Sequence, residues 1–172
     1  MAIEAFHDIY LAYISAKTFE GLGACGGLLL VNHTGRPVEF HCTSPVTTSR
    51  TQEILFGQSL PKFLFCEQIA RALADELKQK PTLFLTNVPE LIELGTMTET
   101  PVVYVRSPAS GDWESDRRPL FELDGRAVYL LHGDESVDGI ETKLRAFHRA
   151  IPIDEPFERI AQALEEAHAV VR

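Results

Sequence analysis

The feature that most constrains the fold is a helix pattern that leads directly into a buried strand. After Pro61, apolar side chains recur at four-residue intervals, which places them on one face of an α-helix. They are Phe65, Ile69, Leu73 and Leu77. Lys80-Pro81 ends the pattern, and the apolar run Thr82 to Leu85 is typical of a strand buried on both faces. This order predicts a β-α-β unit with parallel strands.

Further strand patterns lie on either side of this unit. Ile9 to Thr18 is rich in β-branched and aromatic residues, and Phe19 to Gly27 contains four glycines that predict a loop. Two apolar runs within Leu28 to Cys42 flank turn residues and predict a β-hairpin. Val102 to Val105 reads as a strand parallel to the one after the helix. Leu120 to Leu131, with an Asp124-Gly125 turn, predicts a second hairpin.

These patterns predict an α/β fold with a mixed β-sheet, in which an antiparallel hairpin joins parallel strands and helices pack on the sheet. Further helices are expected from about Ile140 and from Asp154. In the second of these, one face is shared by Phe157, Ile160, Leu164 and Ala167. The 172 residues contain no repeat or linker, so we expect one domain over residues 1–172. The longest apolar runs are too short to cross a membrane, and we expect a cytoplasmic protein without membrane contact.

Cysteine and histidine supply one hypothesis for a site. The three cysteines are widely and irregularly spaced, which indicates reduced thiols rather than a disulfide framework. His41, Cys42 and His132 are the candidates for a thiol or transition-metal site. Neighbouring residues on a strand point to opposite faces, however, so His41 cannot activate Cys42 directly. We therefore expect no cofactor.

Charge and loop content suggest a class of partner. The net charge of −9 argues against a large contact with nucleic acid and favours a peptide or protein partner. The long polar connection from Ser44 to Leu60 offers Arg50, Gln52 and Glu53 as binding residues. A second polar loop offers Trp113. A homodimer is compatible with the same surfaces.

Three stretches within residues 9–106 carry a resemblance to a known family: Ser59 to Glu67, Lys80 to Asn87 and Thr100 to Val105. With the predicted order of elements, they resemble the ribonuclease-H-like layout, and within it the endonuclease V family. The resemblance implies a metal-dependent nuclease site in which Glu67 supplies one carboxylate. The chain departs from the family where other carboxylates are expected, because it has Ile14 and Ser15 on the first strand and Asn87 after the strand that follows the helix.

Three hypotheses for function follow. The first is a non-catalytic module that binds a peptide or protein, built on a degenerate ribonuclease-H-like domain. The second is a metal-dependent nuclease or phosphodiesterase that uses Glu67 with acids such as Glu39, Glu53 or Asp134, because a two-metal nuclease needs several carboxylates around its ions. The third is the site at His41, Cys42 and His132.

Overall fold

One mixed sheet lies at the centre of the molecule and carries helices on both faces. The computed structural model describes residues 8–108, 110, 118–132 and 137–169. Among these, seven strands pair in the order β3-β2-β1-β4-β5-β7-β6. The strands are β1 (Tyr10–Phe19), β2 (Gly23–Asn32), β3 (Pro37–Cys42), β4 (Leu83–Thr86), β5 (Val102–Arg106), β6 (Phe121–Leu123) and β7 (Arg126–His132). Strands β1, β4 and β5 are mutually parallel and the other pairs are antiparallel, which confirms the predicted mixed sheet.

The helices connect these strands. The described helices are α1 (Arg50–Phe56), α2, α3 (Leu94–Met97), α4 (Val137–Ala150) and α5 (Glu155–Ala169). Helix α2 is a continuous run of Leu60–Lys62, a π-helical segment Phe63–Ala70, and Arg71–Asp75. A short 3₁₀ helix, Gly57–Ser59, joins α1 to α2, and another, Pro89–Glu93, follows β4. No helix in the described part of the chain is long and apolar enough to cross a membrane.

Two apolar layers cover the two faces of the sheet. The α2 face is the one packed by Ile69 and Leu73, and it includes Ala12 and Ile14 of β1. The α5 face is the one packed by α4 and α5, and it includes Tyr13 of β1. Successive side chains of a strand alternate between the two faces, so both are buried and the central strands read as continuous apolar runs.

The glycine-rich segment before the first hairpin does not form the expected loop throughout. Strand β2 begins at Gly23 and contains Gly26 and Gly27. A Cβ atom on Gly26 would lie 2.1 Å from Cγ2 of Ile69, and one on Gly27 would lie 2.7 Å from Cγ2 of Ile160. The expectation was wrong because these glycines allow α2 and α5 to approach the sheet closely from opposite sides.

The polar connection between β3 and α2 is also more regular than expected. Residues Arg50–Phe56 form α1, and Ser49 caps it: its hydroxyl accepts from the Gln52 amide, and the Gln52 side chain accepts from the Ser49 amide. This reciprocal pair satisfies amides that would otherwise lack partners at the start of a helix. No residue of α1 is buried.

Strand β1 extends beyond its parallel neighbour. The last paired residues of β1 and β4 are Ile14 and Thr86, whereas the pairing of β1 with β2 continues to Phe19. Residues 15–19 of β1 therefore have no neighbouring strand on the β4 side among the described residues. The sheet has an open edge at this point, in its middle rather than at its rim.

Candidate functional site

The carboxyl ends of β1 and β4 form the candidate site. In open α/β sheets, ligands bind outside the carboxyl ends of the parallel strands. Ser15 and Asn87 are the residues that follow the last paired positions of β1 and β4. The Ser15 hydroxyl donates a hydrogen bond to Oδ1 of Asn87 over 2.6 Å. Two neutral groups thus contact each other at the place where the resemblance led us to expect carboxylates.

The residues beside this pair on the α2 face are not metal ligands either. Ile14 is 1% exposed, and its register partner Thr86 is fully buried. The Thr86 hydroxyl accepts a hydrogen bond from the amide of Val88 and so stabilises the turn after β4. Neither side chain provides a carboxylate to this end of the sheet.

Glu67 lies on α2, apart from the Ser15 and Asn87 pair. Its side chain is exposed, and no hydrogen bond joins it to Ser15 or Asn87 among the described residues. Alternation along β1 places Ser15 on the α5 face, the same side as Lys17, which pairs with Glu165 of α5. Helix α2 packs on the opposite face. The structure therefore does not bring Glu67 together with Ser15.

The charge of Glu67 acts on the pKa of the neighbouring thiol, Cys66. Burial raises the pKa of Cys66 to about 11, and the negative charges of Glu93 and Glu67 contribute to the increase. Burial also raises the pKa of Cys25. Both thiols are therefore poor nucleophiles near neutral pH, because the thiolate is the reactive form.

The structure separates the residues of the transition-metal hypothesis. His41 and Cys42 are on β3 at one edge of the sheet, whereas His132 is on β7. Five interstrand spacings of about 4.8 Å lie between these strands, roughly 24 Å. Nε2 of His41 instead contacts Glu39 over 2.9 Å. No group of three or more His, Cys, Asp or Glu side chains that could hold a metal occurs within the described ranges.

The other acids considered for a nuclease have different positions. Glu39 accepts hydrogen bonds from the amides of Lys78 and Gln79, which follow α2. The contact with His41, together with these amides, lowers the pKa of Glu39 from its ordinary value of 4.5. Glu39 therefore stabilises the end of α2. Asp134 lies outside the described residues.

The residues expected to bind a partner lie on or near α1. Arg50 is largely exposed and pairs with Glu53 over 3.2 Å, while the Gln52 side chain belongs to the cap of the helix. Trp113 lies outside the described residues. Two large apolar side chains on α1, Ile54 and Leu55, are 65% and 77% exposed.

Sequence reasoning missed two buried polar groups on the α5 face. The hydroxyl of Tyr13 and Nε2 of His168 are buried without a hydrogen-bond partner in the described structure. Burial raises the pKa of Tyr13 well above its ordinary value. The helix pattern of α5 placed Ala167 on the buried stripe, but the buried residue is His168. The sequence signal that could have indicated this burial was a histidine one position away from the apolar stripe.

Comparisons with solved structures match the fold. Human ENDOV is 12% identical with a TM-score of 0.52, and the alignment covers 92% of this chain and 85% of that one. The catalytic domain of human endonuclease V is 13% identical with a TM-score of 0.50, covering 94% and 84%. Argonaute from Marinitoga piezophila, in complex with a guide RNA, is 12% identical with a TM-score of 0.49, covering 87% and 27%. No protein-family model and no curated protein matches the sequence.

These likenesses confirm the distant resemblance to the ribonuclease-H-like layout of the endonuclease V family, and at such low identity they establish the fold alone. They also correct the expected class of partner. The preference for a peptide or protein over nucleic acid was wrong, because the similar structures are of endonuclease V, a nuclease. Net charge misled the expectation, since it averages over the surface and does not report the charge of one site.

Proposed function

We propose that this chain is a nucleic-acid-binding domain of the ribonuclease-H-like fold that does not cleave its ligand. The observation that carries the proposal is the hydrogen bond between Ser15 and Asn87 at the carboxyl ends of β1 and β4. A two-metal nuclease holds its ions with several carboxylates on neighbouring strand ends. A hydroxyl and an amide here can bind a polar ligand, but they cannot supply the negative charge that retains two divalent ions.

Exposed cations on α1 and α2 support contact with a phosphate backbone. Lys62 of α2 pairs with Glu93 over 3.2 Å, and Glu93 belongs to the short helix that begins at Pro89, two residues after Asn87. Arg50 has 82% of its side chain exposed. Ion pairs of exposed side chains contribute only about 0–1 kcal/mol, so both cations can exchange a carboxylate for a phosphate at little cost.

The overall charge of −9 limits how such binding works. Each phosphate contact releases counterions and adds about 0.9 to the slope of log affinity against log salt on duplex DNA. A protein with a few local cations should therefore bind with a shallow salt dependence. Much of its affinity must come from neutral contacts, which Ser15, Asn87 and the exposed Ile54 and Leu55 can supply.

The test is fluorescence anisotropy with labelled single-stranded and duplex RNA and DNA at low and physiological salt. We expect saturable binding of at least one of these. In the variant Arg50→Gln/Lys62→Gln we expect weaker binding to all sequences and a salt slope lower by about 1 for each lost phosphate contact. The matched control is Lys80→Gln/Arg149→Gln, which removes two exposed charges elsewhere. If none of the four nucleic acids binds saturably, the proposal fails.

The second candidate function is a metal-dependent nuclease that uses Glu67. The likeness of fold to endonuclease V favours it. Two carboxylates, Glu93 and Glu67, also lie near enough to Cys66 to add to the increase in its pKa that burial causes. Incubation of the same labelled strands with Mg²⁺ or Mn²⁺ separates the two candidates. We expect intact strands. Cleavage by the wild-type protein that disappears in Glu67→Gln would replace the non-catalytic proposal with this one.

A further inference from the structure

A cavity lies on the α5 face, further along β1 from Ser15. Its volume is about 470 Å³, within the range of roughly 300–1,000 Å³ that is usual for small-ligand sites. It is formed where the end of β1 meets the last turn of α5. Its lining among the described residues is Lys17, Thr18, Phe19, Glu20, Glu165, His168 and Ala169. Lys17 to Phe19 belong to the open edge of β1.

His168 is the unusual member of this lining. The residue is 8% exposed, its ring lies edge-on to Phe19 with centroids 5.5 Å apart, and its Nε2 atom has no hydrogen-bond partner in the part of the chain that is described. A buried polar atom without a partner costs about 1–3 kcal/mol. A ligand that accepts a hydrogen bond from Nε2 would remove this cost.

Lys17 provides a cation that can be redirected. Its Nζ atom lies 2.9 Å from Glu165 and 5.2 Å from the centre of the Phe19 ring. The side chains of Lys17 and Glu165 are 48% and 59% exposed, so their ion pair adds little stability. The ammonium group can therefore turn to a bound anion without a large loss.

The charges of the lining restrict the ligand. One ammonium and one imidazole face two carboxylates, Glu20 and Glu165. An anion with no hydrogen-bond donor would gain from the first two groups and be repelled by the other two. A ligand that combines an anion with several hydroxyl donors can satisfy all four, and carboxylates commonly accept hydrogen bonds from ribose hydroxyls.

We propose that this cavity binds a ribonucleotide. The phosphate accepts hydrogen bonds from Nζ of Lys17 and Nε2 of His168, and the ribose hydroxyls donate to Glu20 and Glu165. The ribonucleotide is either a free molecule or the terminal residue of an RNA strand, since both offer the same phosphate and hydroxyls. The inference goes beyond the proposed function, because this cavity can bind a nucleotide whether or not the carboxyl ends of β1 and β4 bind a strand.

The experiment is calorimetric titration of the full chain with AMP, dAMP and inorganic phosphate. We expect saturable binding of AMP, several-fold weaker binding of dAMP because one hydroxyl is missing, and the weakest binding of phosphate alone. His168→Phe keeps an aromatic ring against Phe19 and removes the unpartnered nitrogen. We expect it to weaken AMP binding about tenfold, the effect of one hydrogen bond to a charged group, while the melting temperature stays the same or rises.

Lys17→Gln should also weaken AMP binding, and Lys80→Gln is its control because Lys80 is an exposed lysine that does not line this cavity. Absence of saturable AMP binding, or equal affinity in the wild type and His168→Phe, would overturn the proposal. If AMP displaces a labelled RNA strand, the natural ligand of the cavity is the terminal residue of a strand. If AMP binds without displacing the strand, the ligand is a free nucleotide. Strand binding without AMP binding refutes this inference and leaves the proposed function standing.

Discussion

The two faces of the sheet differ in how completely their polar groups are paired, although both are covered by helices. On the α2 face, Ile69 and Leu73 pack onto Gly26, and Glu39 accepts hydrogen bonds from the backbone amides that follow α2. On the α5 face, the Tyr13 hydroxyl and Nε2 of His168 are buried without partners, and a cavity opens beside His168. The α2 face also has a cavity, of about 260 Å³ beside the end of α2. Within the described ranges, the two faces therefore differ in these unpaired polar atoms and not in how tightly they are closed.

The difference suggests a division of roles within the sheet. Ile69 and Leu73 are packed and Glu39 has its hydrogen-bond partners, so we expect these residues of the α2 face to contribute mainly to stability. Unpaired buried polar groups destabilise a fold, so their presence requires an explanation. Binding of a ligand that pairs with them is one such explanation. We therefore expect substitutions of buried residues on the α2 face to affect mostly stability, and substitution of the unpaired His168 on the α5 face to affect mostly ligand binding.

The largest expected effect compares two neighbouring glycines on opposite faces. We expect Gly26→Ala to lower the free energy of unfolding by about 3 kcal/mol and Gly27→Ala by about 1.5 kcal/mol, because the new Cβ on Gly26 would approach its neighbour more closely. Urea denaturation of both variants measures the difference. If Gly27→Ala lost more unfolding free energy than Gly26→Ala, the α5 face and not the α2 face would be the more tightly packed at these glycines.

A control and a rescue accompany this pair. Gly21→Ala adds a Cβ with nothing within 4 Å, so only its positive φ of 75° opposes the change, at about 1 kcal/mol. Replacing Ile69 with alanine removes the methyl group that the Gly26 substitution would contact. Gly26→Ala/Ile69→Ala should therefore lose less stability than the sum of the two single changes.

The second prediction concerns the hydrogen bonds of Glu39 on the α2 face. We expect Glu39→Gln to cost about 1 kcal/mol at neutral pH, since it weakens bonds from His41, Lys78 and Gln79 to a charged acceptor. The pKa of Glu39 is lowered in the folded state, so its contribution is complete above the ordinary value of 4.5 and is lost as the pH falls through the lowered pKa.

The difference in stability between the wild type and Glu39→Gln should therefore shrink in acid, which denaturant titrations from pH 7 to about pH 3 would measure. A difference that stays constant over this range would mean that the charge of Glu39 is irrelevant to its role. The α2 face would then owe its stability to packing alone.

The smallest expected effect is on the α5 face. Tyr13→Phe removes a fully buried hydroxyl that has no partner among the described residues and keeps the ring contacts with Phe147 and Phe157. We expect the free energy of unfolding to stay unchanged or to rise by up to about 1 kcal/mol, because the cost of the unpaired hydroxyl disappears. A clear loss of stability, measured by thermal and urea unfolding, would show that the hydroxyl is bonded after all.

The sequence predicted the elements whose patterns are local. The stripe that begins at Phe65 identified α2, and the continuous apolar run in β4 indicated burial on both faces. The Asp124-Gly125 turn of the second hairpin has φ of 46° and 81°, the positive values that such a pair predicts. These features depend on residues that are near one another in the chain.

The rest depends on contacts between distant residues. Gly26 is compatible with a strand because Ile69 packs on it, and nothing in the glycine-rich segment itself reveals that partner. Ser15 and Asn87 were identified as departures from the resembled family, but a hydrogen bond across 72 residues cannot be inferred from either one. The position of His168 was missed because Ala167 and His168, three and four residues after Leu164, both lie near its face of the helix, and the pattern favoured the apolar residue.

The open edge of β1 has a consequence for amide hydrogen exchange. A strand with a neighbour on one side only has every second amide bonded to that neighbour, while the others face away from it. Between Ser15 and Phe19 the chain pairs with β2 alone. Amides in this stretch should therefore exchange alternately slowly and quickly with solvent deuterium, whereas those from Leu11 to Ile14 should all exchange slowly. A ligand that bonds to the open edge would slow the fast set and leave the slow set unchanged.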